Sequence, residues 1–248
     1  GIPTLIQERN AFAGRTISFI SKKSDKVVIN FQDTVNYLKR RDNIIKIAHP
    51  IRSSLKRLDR REANEFFGLP PENKTILVFG GSQGARGINE AVSATAKKLY
   101  DEYINLIWQA GKNDTERMKK EFAGMSDRIK ILEFIDRMDL AYSASDLVIC
   151  RAGITSIMEL SSMKSASILI PLPGSAENHQ EINARSFESK GATRVVLQYE
   201  AKEGLFDEIK SVLGDQETLK KMELSAAEFA DPLAAEKIAK EVKLLAEK

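Results

Sequence analysis

Seven short runs rich in Val, Ile and Leu punctuate the chain: VVINF at 27–31, TILVF at 75–79, INLIW at 104–108, IKIL at 129–132, LVIC at 147–150, SILI at 167–170 and RVVL at 194–197. They are continuous rather than alternating, as strands covered on both faces are. Between them apolar residues recur at helical spacing, over Asn89 to Tyr100, Asp114 to Ala123, Ile154 to Met163 and Gln180 to Lys190. Strand then helix, repeated six times from residue 75, predicts a doubly wound parallel sheet of Rossmann-like α/β class.

The flanks differ. Ile2 to Ile6 reads as a strand and Ala11 to Lys22 as a helix, so the first 50 or so residues hold too little for a complete α/β domain. LPPENK at 69–74 is turn chemistry. Asp231 and Pro232 open an amphipathic helix running to Lys248, able to pack on the sheet's own unit or to reach back to the first. The expected division is a partial N-terminal α/β domain over 1–53, a sheet domain over 54–231 and a C-terminal helix over 232–248.

Composition narrows the class. A chain of 248 residues with 42% hydrophobic content buries one large core or two small ones. A formal charge of +3 does not point to nucleic acid, although Lys39 to Arg61 holds nine Lys or Arg against two Asp, a pattern read as a solvated face. The single cysteine, Cys150, suits a reducing compartment. No apolar run approaches the roughly 18 residues of a membrane span, and the opening GIPTLI shows no leader pattern.

The chemistry gathers where strands end. FGGSQGARG at 79–87 follows a strand and opens a helix, the place where parallel sheets bind phosphate. Gly80, Gly81 and Gly84 let backbone amides approach an anion, Ser82 adds a hydroxyl, and the helix beginning near Arg86 turns its positive end on it. A P-loop requires Gly-Lys before Ser or Thr, and this chain has Gly84, Ala85, Arg86. A dinucleotide fold requires an acid at the end of the next strand, where this chain has Trp108, Gln109, Ala110, Gly111. What remains is a diphosphate whose nucleoside is held elsewhere. Arg151 and Gly153 follow LVIC, with Glu159 on the next helix as an acceptor for ribose hydroxyls. His179, Gln180 and Asn183 lie in a polar loop suited to sugar hydroxyls, and the backbone near Ile135 can meet a base edge. Singly, Glu159 also reads as a surface residue, His179 as a helix cap and Asn183 as a turn residue.

GGSQGAR, FIDRM, CRAGITSIMEL and AENHQEINA, in this order, resemble the donor half of the MurG family, the lipid-linked N-acetylglucosaminyltransferases of peptidoglycan synthesis. Upstream, IQERNAFAG resembles the family's HEQN-type motif and AHPIR its GNPVR. The resemblance covers essentially the whole chain. It implies a GT-B fold, an inverting transfer from UDP-N-acetylglucosamine to the undecaprenyl-diphosphate-linked muramoyl pentapeptide, and a cytoplasmic protein peripheral on the inner face of the bacterial membrane. It further implies that Gly81, Ser82, Gln83 and Gly84 contact the diphosphate with Arg52 and Arg151, Ile135 the uracil, Glu159 the ribose, and His179 and Gln180 the sugar. Asn183 would support that loop, and Asn10 would face the cleft from the other unit. No cofactor and no metal site are implied, and no DxD motif is present.

Three departures accompany the resemblance. The family's GGTGGH-type loop, which supplies the base, is absent from the sequence, so the expectation is a chain lacking about a third of the family's length and carrying mainly the donor site. His49 replaces a motif asparagine and reads as a packed or cleft-lining imidazole, and Arg9 stands where glutamine is usual. The alternatives are a donor-binding subunit of a split glycosyltransferase, or another GT-B enzyme such as a UDP-N-acetylglucosamine 2-epimerase or a glycolipid glycosyltransferase.

Overall fold

The computed structural model describes residues 1–81 and 83–247. The first unit contains β1 (Leu5–Glu8), α1 (Arg15–Ile20), β2 (Lys26–Ile29) and β3 (Ile44–Lys46), its strands forming a parallel sheet in the order β1-β2-β3. α2 (Arg60–Phe67) leads into the second unit: β4 (Thr75–Phe79), α3 (Arg86–Asp101), β5 (Asn105–Gln109), α4 (Thr115–Glu121), β6 (Ile129–Leu132), α5 (Met138–Ala144), β7 (Leu147–Cys150), α6 (Ile154–Ser162), β8 (Ser167–Leu169), α7 (His179–Glu188) and β9 (Arg194–Val195). α8 (Gln198–Leu213), α9 (Gln216–Ala227) and α10 (Ala234–Ala246) complete the chain.

The second sheet is parallel throughout, in the order β6-β5-β4-β7-β8-β9. The chain winds outward from β4 in one direction and from β7 in the other, so the β4–β7 seam is the switch point where open α/β sheets bind ligands. Every residue of β4 and β5 is buried. Ile76, Val78, Leu106 and Trp108 face a layer that includes Ile88 and Val92 of α3 and Leu205 of α8. Leu77, Phe79 and Ile107 face the opposite layer, with Tyr142 of α5 and Phe187 of α7. Two covered faces are the reason these strands read as unbroken apolar runs.

α10 lies across the first unit, where Ala234 and Ile238 pack with Val28, Ile45 and Ile47, and Glu241 pairs with Lys26. The predicted helix over Ala11 to Lys22 shortens to α1, which starts only after Gly14, whose backbone is extended (φ −60°, ψ 164°). The 194–197 run keeps only two residues of strand. The basic stretch is not simply a solvated face: Arg57 donates to the Tyr142 and Met163 carbonyls, and Arg60 opens α2 while clamping Asp146.

Asp146 is the anchor below the seam. Its carboxylate receives Arg60 at 2.7 Å, Lys74 at 3.1 Å and the Thr75 amide at 2.8 Å. Burial opposes its ionisation, but these donors outweigh burial and hold the carboxyl below the ordinary range. A depressed folded-state value stabilises above the unfolded pKa and is lost as pH falls through the folded one. Asp146→Asn is therefore expected to cost about 2 kcal/mol at pH 7. The difference from wild type should shrink below about pH 4 in urea denaturation, and an undiminished gap there contradicts the assignment.

Candidate active site

Gly80 to Ala85 turn the chain from β4 into α3. Gly81 and Gly84 have φ of +96° and +74°, the left-handed region that L side chains rarely adopt. A Cβ on Gly84 would run into the Ala110 carbonyl, whereas one on Gly81 would meet nothing within 4 Å. Gly84 thus packs the turn against the end of β5, and Gly81 leaves its outer side open. The Ser82 assignment lies outside the described residues. Gln83 is exposed at the crest of the turn.

α3 begins at Ala85 and α6 at Gly153, and neither N-cap has a side chain bonding the first-turn amides. Both helix starts line one cavity of about 540 Å³, with Gly80, Gly81, Gly84, Arg86 and Gly87 on one wall and Gly153 and Ser156 on the other. Arg151, Leu172, Gln180 and Gln198 close it. Amides without a partner among the described residues and the positive ends of two helix dipoles lie at the same space, which is what an anion requires.

Arg151 reaches this cavity but is otherwise engaged. Its guanidinium donates to the Ile170 and Pro171 carbonyls at 3.0 Å each and to Gln198 at 2.6 Å. Burial lowers its pKa from the usual arginine value. It fixes the ends of β7 and β8 and adds positive field to the cavity it lines. Arg86, exposed and paired with Glu90 at 2.8 Å, is the arginine at the rim.

Glu159 is 8% exposed, one turn into α6. Arg52 stands 3.4 Å from one carboxylate oxygen and the Tyr142 hydroxyl donates to the other at 3.3 Å. Burial raises its pKa, and Arg52 and Tyr142 partly offset this. Arg52 also lines a recess of about 160 Å³ with Leu55 and Asp136 to Asp139, immediately after Ile135. The Ile135 amide already donates to Gln109 Oε1 at 2.9 Å. Of its two backbone groups, only the carbonyl lacks a partner among the described residues.

The polar loop after β8 divides its residues. Gln180 lines the main cavity, its Oε1 accepting the Leu172 amide at 3.0 Å. His179 donates through Nδ1 to the Ala176 carbonyl at 2.7 Å and, with Asn10, Glu8 and Glu177, lines a neighbouring recess of about 270 Å³. Asn183 is fully buried. It bonds the Ala11 amide at 2.8 Å and Asn10 Oδ1 at 3.0 Å, clamping the two units together. His49 stands apart, in a cavity of about 610 Å³ at the crossing of residues 49–57 and 230–236, with its pKa lowered by burial and by Arg9.

Gly81, Gly84, Arg151, Gly153 and Gln180 therefore share one space, Arg52 and Glu159 are paired with each other, and Asn10 and His179 line a separate recess. Sequence reading missed Gln198 and Tyr142, which carry no motif of their own, and Ser156, which lies within CRAGITSIMEL but was not singled out. Gln109 had a signal: it occupies the strand end where a dinucleotide fold keeps its acid.

The family model for the glycosyltransferase family 28 C-terminal domain matches residues 75–238. A Phocaeicola vulgatus protein named UDP-N-acetylglucosamine–N-acetylmuramyl-(pentapeptide) pyrophosphoryl-undecaprenol N-acetylglucosamine transferase is 38% identical over 252 residues, covering 100% of this chain and 67% of that protein. The Desulforamulus reducens protein of the same name is 38% identical, covering 97% and 67%. The crystal structure of Acinetobacter baumannii MurG matches at a TM-score of 0.77 and 28% identity, covering 100% of this chain and 67% of that one. The S. aureus MnaA–UDP co-structure matches at a TM-score of 0.67 and 15% identity over 90% of this chain and 61% of that one, a likeness of fold alone. The chain spans about two thirds of the length of these MurG-type relatives. With the family model covering the whole second sheet and the relatives covering the entire chain, this protein belongs to glycosyltransferase family 28 and, within it, to the MurG family.

Proposed function

We propose that the chain holds UDP-N-acetylglucosamine and serves the inverting transfer of its sugar to an undecaprenyl-diphosphate-linked muramoyl pentapeptide. The observation that carries this reading is the opening of two uncapped helix starts on one cavity at the β4–β7 seam. The diphosphate sits against the α3 and α6 amides with Arg86 at the rim. Glu159 accepts the ribose hydroxyls, the Ile135 carbonyl meets the base beside the Arg52 recess, and the sugar extends toward Gln180 and His179.

In such a transfer the acceptor oxygen forms a bond to the anomeric carbon as the bond from that carbon to the β-phosphate oxygen breaks. The hydroxyl proton leaves to a base, and negative charge grows on the departing UDP. Amides fixed by the helix starts stabilise that charge without rearranging as it develops.

The acceptor and a peripheral position at the membrane belong to the same reading. It is supported by the relatives' printed names and by exposed Phe19 and Ile20 beside exposed Lys22 and Lys23 on the first unit. No described helix is long and apolar enough to cross a membrane.

Two measurements on Glu159 follow. Glu159→Ala is expected to weaken UDP about tenfold or more in calorimetric titration while changing pyrophosphate affinity less than about twofold; equal losses remove the ribose assignment. Without nucleotide, Glu159→Gln should raise Tm at pH 7 by about 2–4 °C. The sign follows from a folded-state pKa above the unfolded one: the ionised carboxylate costs stability once pH passes the folded value, and the amide removes that cost. The gain should vanish near pH 4, where both side chains are neutral, and a lower Tm at pH 7 contradicts the sign.

A further inference from the structure

Gln198 is the first residue of α8, half-buried in the wall of the cavity at the β4–β7 seam. Its Oε1 accepts from Arg151 Nη2 at 2.6 Å, a bond between residues 47 apart in sequence. A guanidinium can only donate, so this bond fixes the amide: the oxygen is taken and the nitrogen is left over. Nε2 has no partner among the described residues and is not a buried atom. The amide also lies on Gly87 in the first turn of α3, where a Cβ would collide with both Oε1 and Nε2. The glycine leaves the room that the amide fills.

An amide held at its oxygen and seated on a backbone is ordered before a ligand arrives, so binding to it costs little further side-chain freedom. Arg151 also makes the remaining donor stronger. A charged donor on an amide oxygen polarises the group, and successive hydrogen bonds reinforce one another. Arg151 is 8% exposed and gives its other two bonds to the Ile170 and Pro171 carbonyls. Part of its charge therefore acts on the cavity through a neutral side chain. The nitrogen can only donate, so what it takes is an acceptor. Arg86 and Gly87 of α3 and Gly153 and Ser156 of α6 line the same cavity, and helix starts of this kind favour an anionic oxygen there.

We propose that Gln198 is a phosphate-binding residue of this site, donating from Nε2 to a diphosphate oxygen while Arg151 holds and polarises the amide from behind. Resting on the diphosphate reading above, this assignment brings a third helix, α8, to the ligand.

Two substitutions and one NMR signal test it. Gln198→Met keeps the length and removes both the acceptor and the donor. Gln198→Glu, ionised, keeps an acceptor for Arg151 and replaces the free donor by a second acceptor. The 248-residue chain and both variants are titrated calorimetrically with pyrophosphate, UDP and uridine, and Tm is recorded for each. The Gln198 side-chain amide is followed by nitrogen-15 NMR and assigned by its loss from a variant spectrum. Pyrophosphate should move that signal saturably, over the concentrations at which calorimetry shows binding. Gln198→Met should weaken pyrophosphate and UDP alike by about fivefold and uridine by less than about twofold. Gln198→Glu should keep Tm and weaken both phosphate ligands by about tenfold or more. That loss should persist at about 0.5 M salt, where a charge acting only from a distance is screened. A glutamine that serves only as a partner for Arg151 leaves its amide signal unmoved at saturating pyrophosphate, and that result overturns the proposal. So does a Gln198→Met chain that binds pyrophosphate as wild type does, or a Gln198→Glu loss that vanishes in salt. If Gln198→Met does not fold, the amide signal and the Gln198→Glu titration decide. A wild-type chain that binds neither pyrophosphate nor UDP brings down the diphosphate reading beneath it, a result distinct from any variant outcome.

Discussion

Two helices, α3 and α6, begin on either side of one seam, and neither has an N-cap side chain bonding its first turn. Orphan amides of this kind can be satisfied by a Ser, Thr, Asp or Asn cap. Among the described α-helices only α2, at Asp59, and α9, at Asp215, carry such a cap; what α3 and α6 add to the missing cap is that both start on one shared cavity. At α3 the cap position is Ala85 and at α6 it is Gly153, and both helix starts face a cavity. The amides are thereby left for a ligand. Such an arrangement needs a rigid surround, and Gly84 against Ala110, Gln109 beneath Gly81, and Arg151 across the ends of β7 and β8 provide it.

The surround was only partly legible in the sequence. β4, β5, β7 and β8 announce themselves because both faces are buried, and the glycine turn because few residues tolerate its backbone. α5 gave no periodic signal, since nearly all of its residues are buried and no polar face marks its period. α2 begins where the stretch read for its charge ends and was not predicted, although Asp59 before it and the left-handed Gly68 after it are ordinary start and stop signals. Arg151, Asn183 and the Ile135 amide are bonded to partners 19 to 173 residues away, and side-chain type alone does not say whether a donor is already taken.

The two units meet through specific polar contacts as well as packing. Asn183 bonds both the Ala11 amide and Asn10, Ser186 bonds Asp33, and Arg52 reaches from the connecting segment to Glu159. α10, though last in sequence, packs on the first sheet, so the chain crosses between units twice. The recess beside His179 is consequently built by both units, Glu8 and Asn10 from one and Glu177 and His179 from the other. In the function proposed here, a donor held at the seam would present its sugar at that junction.

The central claim is that the first turns of α3 and α6 together seat the diphosphate. It is tested most directly by nitrogen-15 NMR of the backbone amides during titration with UDP. The account predicts that the largest saturable shifts fall on Gly84 to Gly87 and Gly153 to Thr155, in both sets at once. Shifts confined to the hinge cavity around His49 and Pro232, with these amides unmoved, would contradict it.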